Sequence, residues 1–99
     1  MPVLMTTDIP ASRADVEAVS AETGAHDNPP AGLIVHLITE TAAGVHVVDV
    51  WETAEDYRRF TDEQLAPAMA KVLPQRGISM DGPPPAANIS EAFDVIRGR

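Results

Sequence analysis

His36 and Asp49 are the two residues of this chain best able to do chemistry together. They lie in neighbouring apolar segments, GLIVHLIT from Gly32 to Thr39 and GVHVVDVWE from Gly44 to Glu52, joined by Glu40-Thr41-Ala42-Ala43. Runs of β-branched residues around a short polar turn predict a β-hairpin. Centring the turn on residues 41 and 42 sets His36 opposite Val47 with Asp49 on the diagonal, within reach of the imidazole. A carboxylate fixes the tautomer of a histidine and raises its basicity. His36 is therefore a candidate general base, or a group that polarises a substrate carbonyl, with Asp49 orienting it. The plainer reading is a buried polar pair that only satisfies itself.

Other side chains gather around this pair. Trp51, Tyr57 and Phe60 are three of the four aromatics and fall within ten residues, so they could wall a flat aromatic substrate, with the Tyr57 hydroxyl as a third catalytic candidate. Packing in the core is the competing explanation. In the register above, Ile34, Ile38, Val45 and Trp51 share the face of His36, while Leu33, Val35, Leu37, Val48 and Val50 line the other face with His46 as its exception. The mixed face suits a pocket beneath helices, walled by Ile34, Trp51, Tyr57 and Phe60, with Ser20 and Thr23 opposite on a thin helical stripe. His46 reads as a strand-end residue near solvent or an interface, and His26, beside Asp27, as a surface group. With His36 and His46 on opposite faces, no metal site is expected. The acidic Glu52, Glu55 and Asp56 at a helix start answer to the helix dipole.

The elements that position these residues follow in order. Pro2–Thr7 alternates as a strand and Asp8-Ile9-Pro10 breaks it. Ser12 is an N-cap with Asp15 three residues on. Val16, Val19, Ser20 and Thr23 then share a helical face that Gly24 closes, and Ala25–Pro30 is a loop. After the hairpin, Thr53 caps a second helix whose Tyr57, Thr61, Leu65, Ala68 and Val72 align. Pro67 falls inside that pattern and predicts a kink, or a break with restart, near Leu65. Residues 74–91 read as an extended loop or arm, richest in Pro and Gly between Pro74 and Pro85. The last element fits a helix or a strand; a strand at Ala92–Ile96 completes a sheet. The order is β-α-β-β-α-β, an α+β class with one domain over residues 1–99.

A strand apolar on both faces needs two covering layers, and two helices supply one. A second copy of the chain, docked through the face of Val35, Val48 and Val50, would supply the other. At 99 residues the chain buries only about 60–65% of its unfolded surface alone, so self-association would add to its core. It has no cysteine, hence no disulfide and no thiolate metal site. Its net charge of −8 argues against nucleic-acid binding. No basic residue precedes Arg13 and no long apolar run occurs, so neither a signal peptide nor a membrane span is expected, and the protein is read as cytoplasmic.

The pattern Gly32-Leu33-Ile34-Val35-His36, a turn, Val47-Val48-Asp49-Val50-Trp51-Glu52, then Tyr57, Phe60 and Leu65-Ala66-Pro67-Ala68, resembles small bacterial proteins of the dimeric α/β-barrel superfamily, including those similar to antibiotic-biosynthesis monooxygenases. The resemblance spans roughly residues 30–73. It implies a ferredoxin-like βαββαβ subunit with an antiparallel sheet, and two subunits packed sheet to sheet as a homodimeric barrel. The superfamily holds cofactor-independent quinone-forming monooxygenases, haem-degrading monooxygenases, chlorite dismutases and polyketide cyclases. Its haem degraders pair an Asn on the first strand with a helical His, and this chain departs from that pattern, with no Asn before Asn28 and no His after His46.

The resulting expectation is a small enzyme without cofactor, a monooxygenase or cyclase, acting on a hydrophobic, aromatic or polyketide-like molecule. The alternatives are a noncatalytic dimer that binds a small molecule or assists an enzyme, and a tautomerase-like protein with Pro2 as base after loss of Met1.

Overall fold

The hairpin closes more tightly than its polar turn suggests. A computed structural model describes residues 1–79 and 85–98, and in it β2 (Leu33–Thr41) and β3 (Gly44–Trp51) are joined by Ala42 and Ala43 alone, with Thr41 paired to Gly44. Gly44 permits this. Its φ is 150°, and a Cβ there would lie 2.1 Å from the carbonyl oxygen of Ile9, so only glycine fits where the turn crosses the end of the first strand. The expected register is thereby corrected by two residues: His36 stands directly opposite Asp49, and Val47 faces Ile38. A bulge makes a second correction. Leu33 pairs with Trp51 and Val35 with Val50, leaving Ile34 as the extra residue, so Leu33, expected on the opposite face, stands across from Trp51.

Four antiparallel strands form one sheet in the order β2-β3-β1-β4, with β1 spanning Val3–Ile9 and β4 spanning Asn88–Glu91. β1 continues through Asp8 and Ile9, which pair with His46 and Val45, instead of stopping at Thr7. The last strand is displaced from Ala92–Ile96 to Asn88–Glu91, inside the segment read as a loop. The ladder stops there for a chemical reason: the Ala92 amide donates to the Pro2 carbonyl at 2.9 Å, and Pro2 has no N–H to return. Phe93 and Ile96 consequently lie outside the sheet, 96% and 88% exposed. Gly82, Pro83 and Pro84 of the Pro-rich stretch fall outside the described residues.

The helices follow their local chemistry. α1 (Arg13–Thr23) starts at Ser12, whose hydroxyl accepts from the Asp15 amide, and ends at Gly24 in the left-handed region, φ 70°. α2 (Ala54–Phe60) starts at Thr53, which caps the Asp56 amide. The interruption expected near Leu65 is a π-helical stretch, Thr61–Leu65, in which the Ala66 amide reaches back to the Thr61 carbonyl. The helix then restarts as α3 (Ala66–Gln75) with Pro67 in its first turn, where a missing donor costs nothing.

Burial alternates along β3, with Val45, Val47, Asp49 and Trp51 inward. Met5, Val45 and Val47 form one core cluster, against which Ile9, Val16 and Tyr57 pack. Val19, Ala68 and Val72 form a second cluster, between α1 and α3. On the other side of the sheet the register stacks Val35, Val50 and Leu4 in one row and Leu37, Val48 and Thr6 in the next. Val35 and Leu37 are each 44% exposed there.

Candidate functional site

Asp49 is the one buried charged residue among those described, 5% exposed, and both its oxygens are engaged. Oδ1 lies 2.5 Å from Nδ1 of His36, and Oδ2 accepts the indole N–H of Trp51 at 3.1 Å. The strands dictate this arrangement: Asp49 and Trp51 are two apart on the inner face of β3, and His36 is the cross-strand partner of Asp49. The His36 side chain is 37% exposed, so the pair runs from the core to an accessible ring. With Nδ1 committed to Asp49, Nε2 is the nitrogen that makes no hydrogen bond to the described residues.

The accessible part of His36 lines a cleft of about 470 Å³ between α1 and the edge strand β2. Its apolar lining includes Val16, Ile38 and Val45, and Ser20 and His26 also border it. Across one end, the Arg13 guanidinium bridges Glu17 at 2.5 Å and Glu40 at 3.2 Å, linking helix to strand. These three charged residues are given no part in a site by the sequence reading, and His26, read there as a surface group, borders the cleft. A signal for them exists: Arg13, Glu17 and Ser20 recur at helical spacing, and His36, Ile38 and Glu40 at strand spacing.

The remaining candidates are placed elsewhere. Trp51 is 1% exposed and packs on Tyr57, with centroids 6.0 Å apart at 63°, and on Phe60, 5.6 Å apart at 36°. These aromatics fill the core beneath α2; they and Ile34 are not among the residues lining the cleft. Thr23 donates to the Ser20 carbonyl at 2.7 Å and closes α1, beside a separate shallow depression shared with Lys71. His46 points to the other face of the sheet, where Nδ1 lies 2.7 Å from Asp8. Pro2 opens the sheet beside Ala92, apart from the cleft.

Hydrogen bonding to Asp49 raises the pKa of His36 above the ordinary 6.5, partly opposed by burial. The protonated ring is thus favoured in the folded chain. Its stabilising contribution is complete below pH 6.5 and is lost as pH rises through the raised value. Denaturant unfolding of the protein and of His36→Gln at about pH 6 and about pH 9 checks this: the stability gap between them should narrow at the higher pH. An unchanged gap would mean that the ion pair is not maintained in solution.

No family model matches the sequence, and no curated protein matches it. Solved structures do share its shape. SnoaB of Streptomyces nogalater, a cofactor-independent oxygenase, aligns with TM-score 0.56 at 19% identity over 98% of this chain and 95% of that one. A Caulobacter crescentus protein assigned as an antibiotic biosynthesis monooxygenase aligns at 0.61 and 21% identity, covering 94% and 89% of the two chains. A Chloroflexus aurantiacus protein of the same assignment aligns at 0.62 and 11%, covering 99% and 100%. This chain has their ferredoxin-like fold. At such identities the likeness is one of architecture, and chemistry must be read from this chain's own side chains. Among the described residues, no helix is long and apolar enough to cross a membrane, and no three potential ligands cluster as a metal site.

Proposed function

We propose that the protein is a small cofactor-independent enzyme in which His36, oriented by Asp49, takes a proton from a hydrophobic, aromatic or polyketide-like molecule held between α1 and β2. The observation that carries this is a carboxylate-held imidazole lining an accessible cleft whose walls are partly apolar, with Val16, Ile38 and Val45 beside it. Asp49 occupies Nδ1, so Nε2 is the atom left to receive the proton. Removing a proton from a phenolic hydroxyl or an activated methylene leaves an electron-rich anion, the form of such compounds that reacts most readily with oxygen. SnoaB, which shares the fold, is a cofactor-independent oxygenase, and this favours oxygenation over other uses of the anion. Tyr57, drawn into the core, is left out of the proposal.

The fate of a panel of hydroxylated polycyclic aromatics, followed by oxygen uptake and product absorbance, tests the reading. Turnover that depends on His36 is the expected result. Saturable binding without turnover would instead favour a binding or accessory protein, a reading supported by the complete hydrogen bonding of Asp49, which also suits a purely structural pair.

A further inference from the structure

We infer that Trp51 is a positioning residue of this site: its indole N–H fixes the Asp49 carboxylate so that Oδ1 stays on Nδ1 of His36 and the neutral imidazole is held with Nε2 free of its proton. The inference rests on the base proposed for His36 and says what keeps that base in its working tautomer.

A carboxylate anchored through one oxygen is free to turn about its Cβ–Cγ bond, a broad and nearly two-fold torsion. Either oxygen, or neither, could then face the ring. In Asp49 the second oxygen is taken at 3.1 Å by a donor that has little freedom to move. Trp51 is 1% exposed and is packed against Tyr57 on one ring contact and Phe60 on another. At 5% exposure Asp49 has little water to replace that donor, so the indole is worth more here than at a surface. The line Trp51, Asp49, His36 therefore runs from the immobile core outward, and Trp51 acts on the cleft without lining it. An outer partner that orients an imidazole through a carboxylate is a general way of choosing which ring nitrogen bears the proton.

Nitrogen-15 NMR of the ligand-free protein, at a pH where His36 is neutral, reads the tautomer directly. The wild-type ring should be almost wholly the Nδ1–H form. In Trp51→Phe, which keeps the aromatic packing and removes the donor, the ratio of Nδ1–H to Nε2–H should fall at least about tenfold, the lower end of the range for losing a hydrogen bond to a charged group. A folded variant with the wild-type ratio overturns the inference.

Should Trp51→Phe not fold, the wild-type side chain serves as its own probe. It is the single tryptophan of the chain, so its indole proton resonance is unique. That resonance should move upfield in Asp49→Asn as the charged acceptor is lost, and an unmoved resonance likewise overturns the inference. Neither measurement involves a substrate. An enzyme whose turnover survives loss of His36 would end the proposed function while leaving the tautomer result to stand or fall separately.

Discussion

His36→Ala is expected to lower turnover of a hydroxyaromatic substrate about 10²- to 10⁴-fold, the usual contribution of a positioned general base. The change removes the ring whose Nδ1 is tied to Asp49 and whose exposed part lines the cleft. Asp49→Asn should cost less if the carboxylate only orients, because the ring remains in place. Since the working base is the unprotonated ring, kcat/KM should rise with pH through the raised pKa of His36, above the ordinary 6.5. Steady-state kinetics of the three proteins across that range decide the matter. A purely structural pair gives the opposite pattern, in which both variants lose stability while ligand handling by the folded fraction is unaltered.

Val48→Asp is expected to abolish self-association. Val48 sits in the middle of the sheet face not covered by the helices, flanked in its row by Leu37 and Thr6 and followed by the Val35–Val50–Leu4 row. With Val35 and Leu37 each 44% exposed, that face is an apolar surface of the kind a soluble chain covers, and a second copy would do so sheet to sheet. A carboxylate placed there would be buried without a partner, a cost of about 3 kcal/mol or more per copy, which weakens association more than 100-fold. Sedimentation at micromolar concentration should show the native protein as a homodimer and the variant as monomer or aggregate. A native monomer would remove the argument from two-sided apolar strands altogether.

Local chemistry was legible in the sequence, and long-range geometry only in part. Ser12, Gly24 and Thr53 marked helix ends by their own hydrogen-bonding and conformational preferences, which need no tertiary context. Pro67 announced a disturbance, because a residue without an N–H must sit where no donor is needed. The hairpin was plain, yet its register turned on whether Gly44 would accept a crowded turn beside Ile9, a fact belonging to another strand. The proximity of His36 and Asp49 survived that two-residue shift because the period of a strand is also two. The bulge at Ile34 had no signal. Trp51, Tyr57 and Phe60 showed that aromatic mass would gather, without showing whether it would border a space or fill one. The cleft runs along the flank of α1 where Arg13, Glu17 and Ser20 recur at helical spacing, a polar periodicity set beside the helix's thin apolar stripe. The final strand ends before the alternation at Phe93 and Val95 because the missing donor of Pro2, some ninety residues away, stops the ladder.

The bulge matters for the edge of the sheet as well as for the site. β2 is an outer strand, nine residues long, with one row of its amides and carbonyls open to solvent, the kind of edge onto which another chain can graft itself in an endless ladder. The extra residue at Ile34 throws that row out of step at one end, and Glu40 sets a charge at the other. The opposite margin, β4, is only four residues long. If a second copy covers the open sheet face, the margins of the sheet are thus guarded against adding further copies, and closed assembly is kept apart from fibre growth.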